Sequence, residues 1–138
     1  MQAMAVIDVD DFKHINDNYG HDTGDIVLQS IARTVLSCMR KTDAVVRYGG
    51  DEFVIVFYNI PADVFEKKLE KIRYSIDSLI INGPPELHMS VSIGGAYGIG
   101  TAKKLFKVAD DMMYQSKNTK NKVTICFLNE KSGSKDNI

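Results

Sequence analysis

Hydrophobic and polar positions follow two different periods along this chain. Met4-Ala-Val-Ile7 is a short apolar run that stops at a burst of acid, Asp8-Val-Asp10-Asp11. A run this short, cut off by polar residues, predicts a buried strand whose end meets solvent. Asn16-Asp-Asn-Tyr-Gly20 is dense in turn formers, which predicts a turn. A helix then follows, capped by Asp22 or Thr23. Its Leu28, Ile31, Ala32, Val35 and Met39 recur at the spacing of one buried helical face.

The middle of the chain changes period. Ala44 to Tyr48 and Phe53 to Tyr58 are rich in β-branched and aromatic residues and predict two strands. Gly49-Gly50 between them predicts a tight hairpin, because glycine tolerates the positive φ of primed turns. Pro61 suits the first turn of a second helix, with a stripe of Phe65, Leu69, Ile72, Ile76 and Leu79. Gly83-Pro84-Pro85 is expected to end it. His88 to Tyr97 predicts another strand, its far half weakened by Gly94-Gly95. A third helix places Leu105, Val108, Ala109 and Met112 on one face, and Val123 to Leu128 reads as a last strand. From Asn129 the chain is polar and predicts a disordered tail over 129–138.

The predicted order is β-α-β-β-α-β-α-β. The fold class is α/β (α+β), and its first six elements match a ferredoxin-like split plan, an antiparallel sheet with helices on one face. Right-handed crossovers make the first strand central, beside the hairpin. The acidic end of that strand and the Gly-Gly-Asp-Glu turn then lie side by side.

Composition narrows the function classes. A chain of 138 residues suits one domain. Seventeen basic and eighteen acidic side chains leave a formal charge of -1. That argues against a nucleic-acid-binding surface but leaves room for a local basic pocket. Cys38 and Cys126 form no metal-type cluster, and a reduced, cytoplasmic setting is the default. No apolar run approaches the ~20 residues of a membrane helix, so no direct membrane contact by this domain is expected. The first residues already read as strand, so the chain is expected to begin inside a domain.

The acids are the candidate chemistry. Asp8, Asp10 and Asp11 cluster at a strand end, and Asp51 and Glu52 follow the hairpin glycines. Crowded carboxylates repel one another and raise some of their pKa values. A divalent cation relieves this, and magnesium favours oxygen ligands, few carboxylates and substrate phosphates. Two metal ions between carboxylates on adjacent strands serve nucleotidyl transfer in polymerases. Gly49 and Gly50 leave room for a base or phosphate beside the backbone. Taken singly, an acidic strand end is an ordinary solvated loop and a Gly-Gly-Asp hairpin an ordinary turn. Together they reach as far as a Mg2+ and phosphate site.

Arg47-Tyr-Gly-Gly-Asp-Glu-Phe53 resembles the signature of the GGDEF family, the diguanylate cyclases. Asp8-Val-Asp-Asp-Phe-Lys13-His-Ile-Asn16-Asp17, Tyr19-Gly20-His21 and Gly24-Asp25 resemble its first motif stretch. Ser90-Val-Ser-Ile-Gly94 resembles its fourth strand, and Ala109-Asp110 with Met113-Tyr114-Gln-Ser-Lys117 its last helix. The resemblance implies a fold like the palm of adenylyl cyclases and polymerases. It implies condensation of two GTP molecules into cyclic di-GMP with release of two pyrophosphates, across a homodimer with Mg2+, or Mn2+ in its place. Asp8, Asp51 and the carbonyl of Val9 would hold the metal. Asp51 or Glu52 would help deprotonate the 3′-hydroxyl, and the resemblance leaves open which. Asn16 and Asp25 would bind the guanine edge, and His21 would lie near the nucleotide. Lys13, Lys117 and Lys120 would meet the phosphates. Lys120 stands in Thr119-Lys120-Asn121, where the family has Gly-Arg-Asn; it keeps the charge without the planar fork.

Arg40-Lys-Thr-Asp43 resembles the family's inhibitory RxxD motif and implies product inhibition by cyclic di-GMP, with Lys71 where many members carry a supporting arginine. The family has a further helix before the first strand. The expectation is therefore a GGDEF domain over 1–128 lacking that helix, with an upstream sensor domain in the parent protein, which is cytoplasmic or the cytoplasmic part of a membrane-bound sensor. The alternative function is a non-catalytic domain that binds GTP or cyclic di-GMP and regulates a neighbour.

Overall fold

The structure, a computed structural model, describes residues 2–81 and 87–128. Its elements run β1 (Gln2–Val9), α1 (Phe12–Tyr19), α2 (His21–Ser37), β2 (Ala44–Arg47), β3 (Glu52–Phe57), α3 (Ala62–Asp77), β4 (Val91–Gly98), α4 (Ala102–Lys117) and β5 (Lys122–Phe127). The strands form one sheet in the order β2-β3-β1-β4-β5. β1 is central, antiparallel to β3 on one side and to β4 on the other.

The central place of β1 explains its unbroken apolar run, because both of its faces are covered. Ala3, Ala5, Ile7 and Val9 join a core with Val27, Ile31, Phe65, Leu69 and Ile72 of α2 and α3. Met4 and Val6 face the other way, against Leu105, Ala109 and Met113 of α4. Burying each of the valine, leucine, isoleucine, methionine and phenylalanine side chains stabilises the fold by about 1.5–3 kcal/mol.

Several expectations need correction. The turn expected at Asn16 to Gly20 is largely helix: α1 extends to Tyr19 and only Gly20, at φ 89°, breaks it. Ile15 is buried, and Phe12 and Tyr19 pack against the same core. That burial overrides the poor helix propensity of the Asn and Asp residues. Consequently α2 begins at His21 behind Gly20, not behind Asp22 or Thr23. The helix after Pro61 already ends at Asp77; Gly83-Pro84-Pro85 and the tail at 129–138 lie outside the described residues. In α4, Met113 is buried while Met112 is only half-buried.

The last helix and strand lie beyond the six elements of the one-faced plan. β5 lies parallel to β4, Ile93 beside Val123 and Gly95 beside Ile125. A parallel neighbour requires a crossover, and α4 provides it on the face that α2 and α3 leave open. The sheet is therefore mixed and flanked on both sides. Gly94 and Gly95 serve this arrangement instead of weakening β4. A Cβ at Gly94 would run into the α4 backbone at Met113 N and Ala109 O. A Cβ at Gly95, facing α3, would lie 2.9 Å from Leu69 and 3.0 Å from Phe65. No helix among the described residues is long and apolar enough to cross a membrane.

Candidate active site

The antiparallel register between β1 and β3 sets Asp8 opposite Glu52. Val9 N–H donates to the Asp51 carbonyl at 3.1 Å, and Asp10 N–H donates to the Ser90 carbonyl at 2.9 Å. The end of β1 is thus pinned from both neighbouring strands. Asp11, at φ 55°, then turns the chain into α1. Topology therefore brings the two acidic stretches together, as their places in the sequence predict.

The hairpin is looser than a two-residue primed turn. Tyr48 N–H donates to the Glu52 carbonyl at 2.8 Å, so Gly49, Gly50 and Asp51 all lie in the connection. Only Gly49, at φ 76°, adopts the left-handed region there. The Gly50 carbonyl is held by Arg47 Nη2 at 2.6 Å and Nε at 3.2 Å. A Cβ at either glycine would meet nothing within 4 Å, so the loop's face is open to an incoming group.

Asp8 and Asp10 share one face of β1 and differ sharply. Asp10 is 4% exposed. Its carboxylate accepts from Ser90 Oγ at 2.7 Å, Ser92 Oγ at 2.6 Å, Asn121 N at 2.9 Å and Lys117 Nζ at 3.1 Å. Burial alone would raise its pKa; the hydrogen bonds of Ser92, Ser90 and Asn121 and the charge of Lys117 outweigh burial and hold it below the ordinary value. Asp8 has no such support. Its Oδ2 lies 3.3 Å from Lys117 Nζ, and its buried Oδ1 has no hydrogen-bond partner. Burial pushes its pKa up to about 7, with Lys117 pulling it down and Asp51 and Glu52 adding to the rise. Glu52 is raised too, by burial and by the charges of Asp110 and Asp51. Asp8, Glu52, Asp110, Tyr114, Lys117 and Asn118 help to line a cleft of about 470 Å³.

These donors fit a magnesium ion by their chemistry. The orphaned Asp8 oxygen, the Val9 carbonyl and the nearby Asp51 are hard oxygen ligands. Among the described residues no three His, Cys, Asp or Glu side chains already surround one point. Magnesium takes one or two protein carboxylates and finishes its shell with water and substrate phosphate.

The other predicted residues fall into separate groups. Asn16 packs against the first turn of α2, where a Cβ at Gly24 would run into its Oδ1. Asp25, the residue after Gly24, is exposed and lines a cleft of about 250 Å³ with Gln29, Arg47 and Phe53. His21 opens α2 on the surface. Lys13 is exposed and pairs with Asp17 at 3.1 Å. Lys120 pairs with Asp11 at 2.7 Å, and that bond raises its pKa.

Arg40 and Asp43 lie at the far end of the β1–β3 pair. Asp43 is fully buried at its side chain and accepts from Arg40 N at 2.8 Å, Nε at 3.1 Å and Nη2 at 2.8 Å. Arg40 Nη2 also donates to the Tyr58 carbonyl at 2.8 Å, just beyond the end of β3. Lys71 is exposed on α3. The lysine that approaches Asp43 is Lys68, whose Nζ lies 3.9 Å away and donates to the Cys38 carbonyl at 2.8 Å.

Sequence reasoning missed Lys68, Asp110 and the structural part played by Asp10, Ser90, Ser92 and Asn121. A signal for the serines exists: they are two apart in a strand and so share a face. Nothing in the sequence says that this face meets Asp10.

The family profile described as "Diguanylate cyclase, GGDEF domain" matches residues 1–123. Diguanylate cyclase DgcM of Escherichia coli (strain K12) is 43% identical over 116 residues, covering 84% of this chain and 28% of DgcM. Diguanylate cyclase A of Treponema denticola is 38% identical over 129 residues, covering 89% of this chain and 34% of that protein. The chain thus spans about a third of the length of these curated relatives. Among solved structures, the GGDEF domain of DgcB from Caulobacter crescentus in complex with c-di-GMP superposes with a TM-score of 0.85 at 31% identity, over 90% of this chain and 77% of that one. Diguanylate cyclase SiaD of Pseudomonas aeruginosa, in complex with its activator SiaC, superposes with a TM-score of 0.83 at 32% identity, over 91% of this chain and 50% of that one. The acidic end of β1 and the hairpin carrying Asp51 and Glu52 both lie within the matched residues, and the chain belongs to the GGDEF domain family of diguanylate cyclases.

Proposed function

We propose that this domain condenses two GTP molecules into cyclic di-GMP and releases two pyrophosphates, working as a homodimer with Mg2+. The observation that carries the reading is the unfinished acid end of β1: a buried, partnerless Asp8 oxygen beside the Val9 carbonyl, with Asp51 and Glu52 across the strand pair. Buried polar groups are ordinarily satisfied, so this oxygen marks a place for a ligand.

In this reading each subunit binds one GTP. Asp25 accepts from the N1 and N2 donors of guanine, Asn16 hydrogen-bonds the same edge, and His21 lies near the nucleotide. Gly49 and Gly50 let the nucleotide approach the hairpin backbone. Asp8, the Val9 carbonyl and Asp51 hold Mg2+, with Mn2+ as the alternative ion. When bound, the ion supplies Lewis-acid polarisation of the phosphates and lowers the pKa of the 3′-hydroxyl. Asp51 or Glu52 takes the hydroxyl proton. The raised pKa of Glu52 makes it a stronger base than an ordinary carboxylate. The 3′-oxygen bonds to the partner's α-phosphorus as the bond to pyrophosphate breaks. Lys13, Lys117 and Lys120 offset the charge that develops on the phosphates. Arg40 and Asp43, with Lys71 on α3, form the site for inhibitory cyclic di-GMP. The domain acts in the cytoplasm under an upstream sensor.

Incubation of the full chain with GTP and Mg2+, read by pyrophosphate release and by chromatography of cyclic di-GMP, tests this. Asp51→Asn should cut turnover at least about 100-fold and leave the melting profile nearly unchanged. Nucleotide binding without turnover in either form would replace the cyclase with the regulatory domain.

A further inference from the structure

Lys117 is the last residue of α4, and its ammonium sits inside the acid end of β1. Its Nζ lies 3.1 Å from the Val9 carbonyl, 3.1 Å from Asp10 Oδ1 and 3.3 Å from Asp8 Oδ2. An ammonium has three N–H donors; two go to the acceptors on Val9 and Asp10 in hydrogen bonds, and the acceptor on Asp8 stands in ion-pair contact. Two of those acceptors, Asp8 and Val9, are the ones proposed above for Mg2+.

The three acceptors are not equivalent. Asp10 is bound by both serines of β4 and by the Asn121 amide as well, so it is a fixed anchor. Asp8 is held by Lys117 alone, and only at one oxygen, while its other oxygen stays buried without a partner. A single positive charge thus compensates the site in part. A divalent cation offers more charge and more coordination to the same oxygens, and it repels an ammonium at this range.

Resting on the metal reading of Asp8 and Val9, we propose that Lys117 is the resident counter-ion of the site. A divalent cation displaces it from Asp8 and Val9, and Asp10 retains the ammonium at the edge, where it is free to take a substrate phosphate. The flexible four-carbon stem of lysine permits this exchange, and its compact charge suits both partners. The two positions of Lys117 link the ligands by reciprocity. Any phosphate that engages Lys117 tightens cation binding, and the cation tightens phosphate binding.

Binding of Mn2+ alone to the full chain, read by the electron paramagnetic resonance of the free ion, tests the exchange. Lys117→Met should bind Mn2+ about tenfold more tightly than the unsubstituted protein. Lys117→Arg, which keeps the charge, should bind no more tightly, and Asp8→Asn should abolish binding in every background. A second measurement needs no variant at Lys117. Mg2+ alone should raise labelling of Lys117 by an amine reagent, read by peptide mass spectrometry, with Lys13 and Lys103 unchanged. A folded Lys117→Met that binds Mn2+ no more tightly, while Asp8→Asn still abolishes binding, overturns the counter-ion and leaves the metal reading standing. Absence of Mn2+ from both the unsubstituted protein and Lys117→Met overturns the metal reading and the exchange with it. If Lys117→Met does not fold, unchanged labelling of Lys117 at saturating Mg2+ overturns the exchange.

Discussion

The two ends of the β1–β3 pair carry charged clusters of opposite completeness. At the far end, Asp43 is fully buried and takes three hydrogen bonds from Arg40, whose guanidinium also reaches the Tyr58 carbonyl. At the near end, about 17 Å away along an antiparallel strand, Asp8 keeps a buried oxygen with no partner. Both clusters resemble binding motifs in the sequence. One has closed on itself and joins the α2–β2 connection to the end of β3. The other is left open and holds carboxylates at raised pKa. Completeness of hydrogen bonding therefore separates a cluster that also braces the fold, and would exchange some of these bonds on binding cyclic di-GMP, from one that is unfinished without a ligand.

The contrast recurs within the open end, between Asp8 and Asp10, and the largest expected effect lies there. Asp10→Ala strands Ser90, Ser92, Asn121 and Lys117 and should cost about 3–5 kcal/mol of stability in urea unfolding. A loss under about 1 kcal/mol would show that the four donors find water instead, and would erase the distinction between the two acids. Next comes the far end. Asp43→Ala leaves three Arg40 donors unpaired and should destabilise the domain by about 2–3 kcal/mol. A neutral result would mean that the Arg40 cluster is held for a ligand alone.

Asp8 should show the reverse sign. Its carboxyl stays protonated up to about pH 7 in the folded chain but titrates near 3.8 when unfolded. Between those values the folded state binds more protons, so stability falls as pH rises through the window. Asp8→Asn should flatten that part of the profile and, above it, stabilise the metal-free chain. Urea unfolding across the pH range checks this, and an unchanged profile would contradict it. The smallest effect is expected at Lys13, whose pair with Asp17 is solvent-exposed. Lys13→Ala should shift stability by under about 0.5 kcal/mol, so any larger change belongs to turnover and phosphate contact.

Much of this was legible in the chain. The apolar run of β1 and the β-branched strands flanking Gly49-Gly50 are local signals, and right-handed connection rules place β1 at the centre. Those rules bring the acidic end of β1 beside the hairpin, and the register of the pair sets Asp8 opposite Glu52. The stripe on α3 matches the buried Phe65, Leu69, Ile72 and Ile76. Where the reading failed, a distant contact reversed a local preference. Residues 16 to 19 favour a turn by composition, yet Ile15 and Tyr19 pull them into a helix against the core. Gly94-Gly95 weaken a strand in isolation, yet they admit a helix to each face of β4.

Sequence by itself determined the element types, the central strand, the meeting of the two acidic stretches and the motif that marks the family, since these follow from short-range periodicity and chirality. Tertiary structure alone decided the parallel pairing of β5, the covering of both sheet faces, and the division of labour between Asp8 and Asp10. Those two acids look alike in the chain. Their difference arises because Ser90, Ser92 and Asn121, roughly eighty to a hundred and ten positions away, spend their donors on Asp10 and leave Asp8 to Lys117. Hydrogen bonds between such distant residues depend on the register of the paired strands and on where the turn after α4 falls, and no local pattern encodes that.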